Sequence, residues 1–210
     1  MGDEDRSGFL SLLGTAVGES RVRCLDHCLM GNHYHLVLEV LAEPLGDVMR
    51  DVLSVYAADF NDRYGREGHL FERRYWAKCV DSPRYLRELV RYIAMNPVRA
   101  GLCARPEDWP WSGHRALMGL APAGITATDA LLAHFGPDQA AGRANYDAWI
   151  SEVRDARAVA IGAVTVTIDR DRRREAIRAA HARGGSTQEI AAAAGCSIRT
   201  IQRAVGDKTL

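Results

Sequence analysis

In the stretch 30-MGNHYHLVLEV-40, His33 and His35 stand two positions apart at the head of an apolar run. On a strand, residues i and i+2 point the same way with Cα atoms about 6.6 Å apart, so two imidazoles so placed can converge on one ion. Taken alone, the pair reads as readily as two polar residues at a strand end. A second pair lies in 91-RYIAMN-96, where Tyr92 and Asn96 are four apart and share one face of a helix, setting a phenol beside an amide that can ligate metal. Singly, Tyr92 could be a tyrosine half-buried against a sheet, and Asn96 a helix end before Pro97. A third group interleaves Arg73, Arg74 and Lys78 with Tyr75 and Trp76. Cations mixed with stacking rings hold single-stranded nucleic acid, although the rings could also be ordinary strand residues.

Particular elements must position these side chains. Phe9, Leu10, Leu12, Leu13 and Val17 form one helical stripe over residues 4–17, and 22–30 and 33–40 read as strands around a Gly31-Asn32 turn. In the second strand Tyr34, Leu36, Leu38 and Val40 share one face, and His33, His35, Val37 and Glu39 the other. A helix is expected from about 44 to 64, and 70-LFERRYWAKCV-80 alternates like a strand. Ser82 is a plausible N-cap with Pro83 in the first turn of a helix over 83–96, which Pro97 should end or kink. The pattern predicts an α+β fold: an antiparallel sheet with helices on one face and the histidines on the open face.

The C-terminal stretch 187-TQEIAAAAGCSIRTIQRAV-205 fits a helix-turn-helix, with Gly195 in the turn and Ser197 capping the second helix. With a preceding helix over about 169–183 it would form a three-helix unit. Its second helix would carry Arg199, Thr200, Gln202 and Arg203 into the major groove of duplex DNA; a bundle for protein contacts is the other reading. The expected division is a domain over 1–120, a partly helical linker over 121–165 and the helix-turn-helix over 166–210.

The formal net charge of zero hides a pattern. Residues 1–62 carry 4 Lys+Arg against 11 Asp+Glu, residues 63–105 carry 10 against 4, residues 106–165 carry 4 against 7, and residues 166–210 carry 9 against 5. Two basic segments in an otherwise acidic chain suit a polyanion bound at two places. No apolar run spans a membrane, and an acidic N-terminus is the wrong order for a secretory signal, so a cytoplasmic protein is expected. Five cysteines without a CxxC pair argue for reduced thiols, although Cys24, Cys28, His33 and His35 offer a conceivable zinc site.

Together, MGNHYHLVLE, GHLFERRYWAKCVDSPRYL, RYIAMNPVRAGL and EDWPWSGHRAL resemble, in order and spacing, the REP-associated tyrosine transposases, a branch of the single-strand HUH transposases of insertion sequences. The resemblance covers roughly residues 3–117. It implies a ferredoxin-like sheet, His33 and His35 as ligands of a divalent ion (Mg²⁺ or Mn²⁺), Asn96 as third ligand and Tyr92 as nucleophile. The implied partner is single-stranded DNA bearing a hairpin, cleaved to a 5′-phosphotyrosine and a free 3′-OH by a monomer or homodimer.

The chain departs from that pattern in two places. A strand is expected ahead of the first helix, pairing beside the histidine strand; here the sequence opens inside the helix, which predicts unpaired ladder groups on that edge. Gly31 also replaces the proline usual before Asn-His. Two other readings follow: a transposase remnant serving as a helix-turn-helix DNA-binding regulator, and a zinc-stabilised scaffold.

Overall fold

Burial along 33–40 explains how this chain is layered, because His35, Leu36 and Val37 are all buried although they alternate between faces. In the computed structural model, which describes residues 2–41, 43–152, the backbone of 164–167 and positions 181, 182, 184 and 186, the fold is α+β. The helix-turn-helix segment, with Arg199, Thr200, Gln202 and Arg203, lies outside the described residues.

The elements run α1 (Asp3–Gly18), β1 (Val22–Leu29), β2 (His33–Val40), α2 (Leu45–Tyr64), α3 (Pro83–Arg99), α4 (His114–Leu117), α5 (Thr128–Leu132), α6 (Gln139–Ser151) and β3 (Val164–Thr167). β1 and β2 form the antiparallel hairpin read from the sequence, with Leu29 opposite Tyr34 and Val22 opposite Val40. A bulge between Cys24 and Asp26 shifts the register. Each face then builds its own core. On one, Phe9 and Leu13 of α1 and Val48, Met49, Val52 and Tyr56 of α2 pack against Cys24, Leu29, Tyr34 and Leu36. On the other, Leu86, Leu89, Val90 and Ile93 of α3 pack against Leu25, Cys28 and Val37.

Helices therefore cover both faces, not one. The apolar stripe of α3 needs an apolar surface, and the Leu25/Val37 face supplies it, at about 2 kcal/mol for each fully buried aliphatic side chain. Within the expected linker of 121–165, the described residues up to 152 extend this second core through Leu131, Leu132, Phe135, Tyr146 and Ile150. Ala- and Gly-rich composition hid this, since Gly142 packs where a Cβ would lie 2.6 Å from the Leu132 carbonyl oxygen.

Three other local expectations change. The stretch 70–80 is irregular, with a bridging position only at Trp76, and among the described residues no named strand pairs with it. Pro97 does not end α3, which continues to Arg99; a proline in the last turn forfeits one hydrogen bond where few residues remain to be held. The outer edge of β2 is not bare: β3 pairs with it antiparallel, Thr167 opposite His33 and Thr165 opposite His35. An open ladder templates any β-prone segment, and 164-VTVT-167 is alternating and β-branched. Among the described residues no helix is long and apolar enough to cross a membrane.

The bulge also buries Asp26, whose Oδ1 accepts from the His27 N–H at 2.8 Å. Burial pushes its carboxyl from 3.8 up to about 8, the His27 N–H opposing. From about pH 4 to pH 8 the unfolded chain holds this carboxyl ionised and the folded chain holds it protonated. The raised value contributes stability below pH 4 that is lost as pH rises towards 8, at about 1.4 kcal/mol per pH unit. Urea unfolding at pH 5 and pH 8 should therefore show the parent losing more stability on going to pH 8 than Asp26→Asn does; equal losses would contradict the assignment.

Candidate active site

α3 crosses the face of β2 that carries the histidines. Its register is set at its start, where Ser82 Oγ accepts from the Tyr85 N–H at 3.3 Å and Pro83 occupies the first turn. Leu86, Leu89, Val90 and Ile93 then face the sheet, which leaves Tyr92 and Asn96 on the adjoining stripe above His35.

The His33 and His35 rings are 5.0 Å apart, centroid to centroid, and nearly perpendicular at 85°. The Tyr92 ring lies 5.5 Å from that of His35, at 82°. Asn96 hydrogen-bonds the His35 side chain and is itself only 8% exposed. The four residues singled out from the sequence thus meet, on a strand and a helix more than fifty positions apart.

Electrostatics fit neutral ligands. His35 is 1% exposed, and burial lowers its imidazole to about 3, with neighbouring His33 lowering it further and the Asn96 hydrogen bond opposing. His33 sits nearer solvent, its Nδ1 2.8 Å from Asn32 Oδ1. If that nitrogen carries the proton, Nε2 is left as the donor to an ion. Asn96 Nδ2 is buried without a hydrogen-bond partner, and the amide oxygen, which meets the His35 ring, is the atom that would face an ion. Two imidazoles and one amide oxygen suit a divalent ion that keeps open positions for phosphate oxygens.

The zinc arrangement does not form. Among the described residues no group of three or more His, Cys, Asp or Glu side chains converges. In a regular strand Cys24 and Cys28 would share a face, but the bulge intervenes: Cys24 pairs with Leu38 in one core and Cys28 with His35 in the other.

The basic segment is divided. Lys78 lies with Nζ 4.5 Å from the Tyr85 ring centroid at the start of α3, and Trp76 is half-buried. Arg73 and Arg74 turn instead towards α2, where they line a groove with Met49 and Leu53. Two neighbours of the site escaped the sequence reading. Arg99 places its guanidinium carbon 5.6 Å from the Tyr92 ring centroid, and its signal was the i+7 spacing from Tyr92. Asn32, which the sequence marks only as a turn residue, is the other, with its Oδ1 2.8 Å from His33 Nδ1.

No protein-family model, curated protein or solved structure matches this chain. The site's geometry therefore carries the functional argument together with the sequence motifs.

If Asn32 orients His33 for an ion, Asn32→Ala should weaken Mn²⁺ binding by roughly 10- to 100-fold, the usual effect of losing a group that orients a ligand. Titration calorimetry checks this; unchanged affinity would mean that the Asn32–His33 contact belongs only to the turn.

Proposed function

We propose that this chain is a metal-dependent, single-strand DNA endonuclease and strand transferase of the tyrosine transposase kind, working in the cytoplasm. The observation that carries the reading is the convergence of the Tyr92 phenol, His35 and Asn96, with His33 adjoining, across the α3–β2 contact. A phenol is a weak nucleophile at neutral pH, so it gains from a neighbouring electrophilic centre, and the two histidines and Asn96 form a donor set suited to Mg²⁺ or Mn²⁺. Such an ion, when bound, stabilises negative charge on the phosphodiester and on the departing oxygen.

The protein's own groups supply the rest. Tyr92 Oη would attack the scissile phosphorus, forming a Tyr–O–P bond as the P–O3′ bond breaks. The phenolic proton passes to solvent, and the leaving oxygen takes up a proton to become a free 3′-OH. Because the phosphotyrosine is itself a phosphodiester, attack by a 3′-OH reverses the step and rejoins strands without ATP. Arg99, whose guanidinium lies beside the Tyr92 ring, would hold a phosphate oxygen there. His35, buried and neutral, stays a ligand across the working pH range. The two-strand hairpin with helices on both faces is compatible with a ferredoxin-like core. The C-terminal segment would add a helix-turn-helix for duplex DNA.

Incubation with a 3′-labelled, hairpin-bearing single strand and Mn²⁺ or Mg²⁺ should yield a labelled covalent protein–DNA adduct in denaturing gels, and Tyr92→Phe should abolish it. An adduct that survives the substitution would overturn the assignment and direct attention to Tyr85 or Tyr75.

A further inference from the structure

Beyond the reaction centre, the residues between α2 and the irregular 68–75 segment enclose an open groove of about 410 Å³. Its floor is a stripe of α2, Met49, Leu53 and Ala57, spaced four apart on one helical face. The opposite wall carries Phe71 and Tyr75, whose rings join the α1/α2 core from its margin. The wall is held in place where Asn61 Nδ2 donates to the Gly68 carbonyl at 2.8 Å, and Gly68 itself has a φ of 87°, which favours glycine.

Charge is one-sided at the rim. Arg50, Arg73, Arg74 and His69 line the groove, and no carboxylate does. Arg50 is engaged by Asp47 at 2.7 Å and Asp51 at 3.4 Å. Arg73 and Arg74 are both exposed, and among the described residues neither has an ion-pair partner. An apolar and aromatic slot edged by two available guanidiniums matches a nucleotide: the base goes into the slot and the flanking phosphates go to the arginines.

From this we infer that the groove is a second contact for single-stranded DNA, seating an unstacked base against Leu53, Phe71 and Tyr75 and its neighbouring phosphates on Arg73 and Arg74. A duplex cannot use it, because its bases are paired and stacked. The groove belongs to the α1/α2 side of the sheet, whereas Tyr92 stands on the other, so the groove is a contact separate from the reaction centre. The inference rests on reading the chain as a single-strand DNA protein, but not on cleavage.

The test uses the full chain carrying Tyr92→Phe, in EDTA, with fluorescence anisotropy of a short labelled oligothymidylate across a salt series. Arg73→Ala with Arg74→Ala should weaken binding roughly tenfold or more at low salt, and should lower the slope of log K against log salt by about 1.4, the value for two lost phosphate contacts on a single strand. Ala57→Trp fills the slot without touching charge, and should weaken binding while leaving that slope unchanged. Unaltered affinity in both variants would overturn the inference, as would competition by a duplex of equal length as effective as that of the single strand. If the unsubstituted chain with Mn²⁺ gives no covalent adduct while the groove effects hold, the proposed reaction alone is refuted; an adduct without the groove effects would refute the groove alone.

Discussion

The docking of α3 on the hairpin face that carries Leu25, Cys28, Val37 and His35, chiefly against β1, is the contact on which the rest depends. Leu86, Leu89, Val90 and Ile93 fix the rotation of the helix by burying against Leu25, Cys28 and Val37. With that rotation Tyr92 sets its ring 5.5 Å from that of His35, and Asn96 meets the same imidazole. The same contact desolvates His35, so packing and chemistry are one interaction: the apolar stripe that stabilises the helix also holds the imidazole neutral and in position. Burial of a polar cluster on this scale is tolerated because His35 is hydrogen-bonded by Asn96 and because neutral groups cost far less to bury than charged ones.

The bulge in β1 is a second constraint with wide consequences. By inserting Leu25 it sends Cys24 into the α1/α2 core and Cys28 into the α3 core, and it buries Asp26 where the 111–114 segment passes. Gly113 permits that close passage, since a Cβ there would lie 2.6 Å from Asp26 Oδ1. The free edge of β1 is closed in consequence: the Leu29 N–H donates to the Trp111 carbonyl at 2.8 Å and the Gly113 N–H to the His27 carbonyl at 2.9 Å. On the far side β3 lies along β2, so the histidine strand is paired on both edges and covered on both faces.

Much of this was legible in residue spacing. The period-two alternation of 33–40 and the helical stripes of α1 and α2 gave those elements to within about a residue, while α3 runs three residues past its expected end; the i, i+2 and i, i+4 relations grouped His33 with His35 and Tyr92 with Asn96. What escaped was non-local. A bulge has no sequence signature in VRCLDHCL, so the two cysteines could not be assigned to faces. Alternation in 70–80 suggested a strand, but a strand exists only where a partner edge runs alongside. The small residues of 121–146 looked like a linker because their value lies in close packing against α3, which hydropathy does not register. Arg99 and Asn32 were missed because their roles depend on the side chains beside them.

The proposed function requires that His33, His35 and Asn96 jointly hold a divalent ion within reach of Tyr92. The most direct measurement is an anomalous difference map from crystals grown with Mn²⁺. The account predicts one strong peak bounded by the two imidazoles and the Asn96 amide, on the side facing the Tyr92 hydroxyl. A map with no peak there at saturating Mn²⁺, or with the ion held elsewhere and Tyr92 turned away, would contradict it.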